Sequence, residues 1–79
     1  MKKFNIPDEN KKQMETMRKN FISLRKSKCL TIENLSDISG IDLNILIGIE
    51  EGRDFDIQFL FELCDIYNIK PHEIFKNIG

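Results

Sequence analysis

The 79-residue chain has no tryptophan, a single tyrosine, a single histidine and only two cysteines. One histidine, His72, and two cysteines leave little material for acid–base chemistry or a metal site. Cys29 and Cys64 lie 35 positions apart and belong to no C-x-x-C pattern. A disulfide framework is therefore not expected, and free thiols in a reducing compartment are. No glycine-rich phosphate loop occurs. No apolar run approaches the roughly 20 residues of a membrane span. Met1 to Pro7 holds no apolar stretch long enough for a signal peptide. The adjacent acids Glu50 and Glu51 have no nearby Ser, His or Lys to work with, and read as structural. These absences predict a cytoplasmic protein that is not an enzyme and uses no cofactor, metal or membrane.

What is present is ordinary globular material, 41% hydrophobic and 32% charged, in a chain of net charge −1. The charge is unevenly spread. Residues 1–28 hold nine Lys and Arg against three acids, net +6, and residues 29–79 hold three against ten, net −7. A basic first segment reads either as a solvated helix face or as a patch that faces phosphate.

Hydrophobic spacing predicts helices throughout. Residues 1–7 read as an irregular arm anchored by Phe4 and Ile6, and residues 8–79 as one all-α domain. Asp8 is placed to cap a first helix, in which Met14, Met17, Phe21 and Leu24 form one apolar stripe to about Ser27. Thr31 opens a short second helix with Leu35 and Ile38, and Gly40 stops it. Asp42 opens a third around Leu46 and Ile49, stopped by Gly52. Asp56 opens a fourth, with Ile57, Leu60, Phe61, Cys64 and Tyr67 inward and Asn68 as its left-handed end. Pro71 starts a last short helix carrying Ile74 and Phe75. The predicted core unites Leu24, Leu35, Leu46, Ile49, Leu60, Phe61, Cys64 and Phe75. No alternating pattern predicts a strand.

The motif series Leu24-Arg25, then Cys29-Leu30-Thr31, Leu35, Gly40-Ile41, and Ile49-Glu50-Glu51-Gly52 resembles the XRE family of Cro and lambda-repressor type helix-turn-helix domains. The likeness covers roughly residues 17–75. It implies a compact five-helix fold and a transcriptional regulator that binds double-stranded DNA. It also implies that Cys29 stands in a turn position where the family has glycine, with some backbone strain.

The resemblance places groove contacts on Leu43, Asn44, Ile47 and Gly48, with Ile32 at the start of the second helix. The departures are chemical. Base reading needs hydrogen-bonding side chains, and Asn44 is the only such group on this helix. Leu43 and Ile47 can meet thymine methyl groups, so an A·T-rich site is expected. Phosphates would fall to Arg25, Lys26, Lys28 and Arg53, against the repulsion of Asp42, Glu50, Glu51, Asp54 and Asp56. The other reading takes Leu43, Ile47 and Ile32 as an apolar patch for a protein partner, with Gly48 leaving room for another backbone. On the fourth helix Phe59, Leu63 and Ile66 share one face. That face is either a homodimer interface, as in family members, or the flank of a broadly buried helix.

Overall fold

The computed structural model describes residues 3–4 and 11–76. Strand β1 (Lys3–Phe4) is followed by helices α1 (Lys11–Ser27), α2 (Ile32–Ser39) and α3 (Leu43–Glu51), strand β2 (Phe55–Asp56), helix α4 (Ile57–Ile66) and a 3₁₀-helix (Pro71–Phe75). The predominantly helical class is as expected, but the described residues form four α-helices rather than five. The last segment winds as a single 3₁₀ turn. Proline at its start and only five residues before Lys76 leave too few backbone bonds for an α-helix. The sequence-predicted start of the first helix at Asp8 and the anchor Ile6 lie outside the described residues.

A second departure is the antiparallel pair of β1 and β2, in which Lys3 faces Asp56 and Phe4 faces Phe55. Two residues per strand are too short to leave an alternating pattern, so periodicity could not signal them. The pairing also changes the start of α4. Asp56 occupies the cap position but makes no side-chain cap bond.

The remaining helix ends follow the local chemistry. Thr31 Oγ1 accepts from the Asn34 amide and Asn34 Oδ1 accepts from the Thr31 amide, a reciprocal cap. Asp42 Oδ1 accepts from the Asn44 amide at 2.8 Å. Gly40 takes φ 74° and Gly52 φ 87°, the left-handed region where a Cβ is costly, and each closes its helix. Asn68 takes φ 55° after α4, and Cys29 takes φ 58° between α1 and α2. The α2–α3 turn is locked by Ser36 Oγ, which donates to the Ile41 carbonyl, and by the Ile41 amide, which donates to Ser39 Oγ.

The core gathers Met17 and Phe21 of α1, Leu35 of α2, Ile41, Leu46 and Ile49 of α3 and its approach, Phe55, then Leu60, Leu63, Cys64 and Tyr67 of α4 and its end, and Ile74. Leu24 and Phe75 are half-buried against it. Four expectations are corrected. Ile38 is 60% exposed, Phe61 is 49% exposed, and Ile57 also faces solvent. Leu63, expected on a dimer face, is 2% exposed and belongs to the core. On α4 the inward face is thus rotated toward Leu60, Leu63, Cys64 and Tyr67. The cause is visible in the residues. Apolar side chains surround α4 so broadly that its sequence pattern does not define a single face.

Asn20 was not foreseen as a core residue. It is 4% exposed, and its Nδ2 donates to the carbonyls of Ile74 and Lys76 at 2.7 and 2.6 Å. One amide therefore ties the middle of α1 to the 3₁₀-helix, and α1 packs on that turn more than on any other element. The radius of gyration is 11.7 Å, the value of roughly 12 Å expected for one close-packed domain of this length. No described helix is long and apolar enough to cross a membrane.

Candidate functional site

Two arginines of α1 hold the C-terminal end of α3. Arg25 Nε and Nη2 donate to Glu50 Oε2 and Oε1 at 2.8 and 3.0 Å, a two-pronged ion pair with both side chains about six-sevenths covered. Its third contact, from Nη1, goes to the Leu30 carbonyl at 2.9 Å. The Glu50 carboxylate beside it raises the Arg25 pKa further above its already high value. Arg18 donates through Nη1 to the Glu50 carbonyl at 3.2 Å and pairs with Glu15. Placing cations at the end of α3 matches the negative end of the helix dipole.

This bears on one sequence expectation. Each guanidinium nitrogen of Arg25 already donates to Glu50 or Leu30 and the side chain is largely covered, so it is poorly placed to meet phosphate. The signal was present in part, since Arg25 follows Leu24 and Glu50 follows Ile49, each next to a core position. The basic segment is therefore partly internal. What stays in solvent on α1 includes Lys12, Lys19 and Lys26, spaced seven apart on the face opposite Met17 and Phe21. Lys28 is exposed in the turn that follows.

On α3 the outer face carries Leu43, Asn44 and Ile47. Asn44 is exposed, and Leu43 and Ile47 are half-buried. Neither of the two belongs to the core or to the partly buried residues packed around it, whereas Ile32 and Ile45 do pack there. Ile32 is thus an anchor of α2 more than a member of an outward patch.

Gly48 is not the open position that the sequence suggested. It is buried, and a Cβ built there would meet Arg53 Nε at 3.3 Å and Cζ at 3.6 Å. The Arg53 guanidinium lies over the glycine and pairs with Glu51 at 3.0 Å on the exposed surface. A side chain at position 48 would push this lid away.

Beside Arg53 lies a groove of about 470 Å³ between α3, β2 and α4, lined among the described residues by Asn44, Ile45, Gly48, Phe55, Phe59 and the pair Asp54 and Asp56. The structure therefore brings Asn44, Gly48, Arg53 and Phe59 to one place. Lys26 and Lys28 stay with α1, Leu43 and Ile47 keep to the outer side of α3, and Leu63 is withdrawn into the core. Ile66 is half-buried against the core. The groove was not foreseen, since it depends on the β2 turn. Among the described residues no three His, Cys, Asp or Glu side chains could hold a metal ion.

Behind the Arg25–Glu50 pair, the Tyr67 ring sits 6.2 Å from that of Phe21. Its hydroxyl is buried without a hydrogen-bond partner among the described residues. Burial, and next the Glu50 carboxylate, push its pKa up to about 12. Cys64 is buried and Cys29 exposed, and no disulfide joins them. Comparison of the chain with protein-family models, with curated proteins and with solved structures returns no match.

Proposed function

We propose that the protein is a DNA-binding transcriptional regulator whose α2–turn–α3 unit acts as a helix-turn-helix of the Cro and lambda-repressor type. The observation that carries the reading is α3 itself. It is short, capped at both ends, clamped at its base by Arg18 and Arg25, and left with Asn44 exposed on its outer face. A rigid helix with a free amide near its N-terminus is what major-groove reading needs. The motif resemblance of residues 17–75 to the XRE family supports the same assignment.

In this reading Asn44 pairs with adenine while Leu43 and Ile47 lie against thymine methyl groups. Lys26 and Lys28 meet phosphate, and Arg53 does so only by giving up Glu51. Exposed Asp42, Glu51 and Asp54 oppose the duplex. Affinity is then low and strongly dependent on salt, with an A·T preference. Two half-sites require a two-fold dimer, for which α4 offers Ile57 and Phe61, one turn apart and both exposed. Selection from a random duplex pool, followed by titration of wild type and Asn44→Ala, tests the proposal. Enrichment of no sequence would reject it.

A second reading is favoured by the half-buried Leu43 and Ile47 outside the core and by the apolar groove next to them. Here the helix-turn-helix is a scaffold that captures another protein. Leu43→Lys with Ile47→Lys separates the two. Added cations strengthen duplex binding at low salt if α3 only approaches DNA through charge, and they destroy capture of a partner, because a lysine buried in that contact is unpaired.

A further inference from the structure

Beyond the duplex-reading face of α3, we propose that the groove between α3, β2 and α4 docks a basic peptide segment of a partner protein. In this complex an aromatic or branched apolar side chain sits among Ile45, Phe55 and Phe59, and flanking Lys or Arg meet Asp54 and Asp56. The floor and the rim ask for different chemistry in one ligand. Ile45 and Phe59 are half-buried against the core and also line the groove, so an apolar group entering it adds to their burial. The rim cation is already matched, since Arg53 pairs with Glu51 and rests on Gly48. The rim anions are not, for neither Asp54 nor Asp56 forms an ion pair among the described residues. Two carboxylates without ion partners on the rim of an apolar groove favour cationic partners over anionic ones.

Asn44 lines the groove as well as the outer side of α3. A docked segment therefore covers the one amide available for base reading, and peptide and duplex compete. The site would act as a switch on duplex binding, set by the amount of partner.

The probe is an acetylated and amidated peptide of sequence Lys-Lys-Ala-Phe-Ala-Lys-Lys, added to the full chain with no DNA present and followed by amide chemical shifts. Saturable shifts centred on Asn44, Ile45, Gly48 and Phe59 are expected. Replacing the peptide's Phe by Ala, or its Lys by Glu, should abolish them. Asp54→Lys should weaken the peptide by at least about fivefold, whereas Glu62→Lys, the same charge change on exposed α4 outside the groove, should alter it by less than about twofold. Equal weakening by the two variants means that only net charge is felt, and overturns the site. So does an absence of saturation, or shifts that follow protein concentration without peptide, which would place a second copy in the groove. Because no DNA enters the titration, its failure leaves the duplex proposal standing, and failure of duplex selection leaves this one.

Discussion

Arg25 and Glu50 join α1 to the end of α3 through two parallel hydrogen bonds, at 2.8 and 3.0 Å, under a cover that leaves both side chains about one-seventh exposed. The pair ties the end of α3 to α1, alongside the buried Leu46 and Ile49 that turn its other residues outward. It also takes from the surface an arginine that sequence alone would assign to phosphate. Removing one partner leaves the other charged and buried. Arg25→Ala or Glu50→Ala should therefore cost about 3–5 kcal/mol in denaturant unfolding. Arg25→Met with Glu50→Leu should recover much of that loss. A loss below about 1 kcal/mol for either single variant would show the pair to be solvated.

The buried Tyr67 hydroxyl gives a prediction of opposite sign. Tyr67→Phe deletes a group without a partner and keeps the ring against Phe21. Stability at neutral pH should rise by up to about 1 kcal/mol. A loss of that size would reveal a hydrogen bond to water.

Alkaline stability follows from the same tyrosine and from Cys64. Burial raises the Cys64 pKa from 9.0 to about 11, and burial with Glu50 raises that of Tyr67 from 10.0 to about 12. For each the protonated form is the folded one, and the unfolded chain ionises first. The stabilisation is thus complete below about pH 9 and is lost as pH rises through 11 and 12, by on the order of 2 kcal/mol for each group. Thermal unfolding from pH 8 to 11.5 should show a falling midpoint, less steep in Tyr67→Phe. Parallel curves for the two proteins would contradict this.

Backbone strain at Cys29 is a local test. Its φ of 58° is a glycine-like conformation held by an exposed side chain. Cys29→Gly should stabilise by about 1 kcal/mol, because the steric cost relieved slightly exceeds the entropy that glycine adds to the unfolded chain. Thr31→Ala, two residues on, should cost about 1 kcal/mol by opening the α2 cap. Equilibrium unfolding of both variants checks the turn.

The rotation of α4 can be checked by a pair of neighbours. Leu63→Ala should cost about 2–5 kcal/mol, as for a buried leucine, while Phe61→Ser should stay within about 1 kcal/mol of wild type. The reverse order would restore the rotation read from the sequence.

How far the sequence could be read depended on whether a residue's role is local. Gly40, Gly52 and Asn68 were legible because a left-handed helix end depends only on the residue there. Thr31 and Asp42 were legible for the same reason. Arg25 was not, because its partner is 25 positions away and a surface phosphate contact uses the same chemistry. Asn20 sits three after Met17 and one before Phe21, inside the apolar stripe of α1. That position was the signal of its burial, but polar residues default to the surface. Phe61 and Leu63 exchanged roles because α4 is apolar on several sides. Within the candidate site, Asn44, Leu43 and Ile47 could be placed on the outer side of α3 by helical spacing. The groove could not, because β2 is a two-residue strand whose pairing depends on the opposite end of the chain.

The proposed duplex-reading role of α3 is tested most directly by anisotropy titration of wild type and Asn44→Ala on a selected A·T-rich duplex and on a variant with its central adenine replaced, each at several salt concentrations. Wild type should prefer the adenine duplex by about 1–3 kcal/mol, and Asn44→Ala should bind both alike with the salt slope unchanged, since the proposal has Asn44 contact a base and not a phosphate. Equal binding of both duplexes by wild type, or a preference that survives in Asn44→Ala, would contradict the reading.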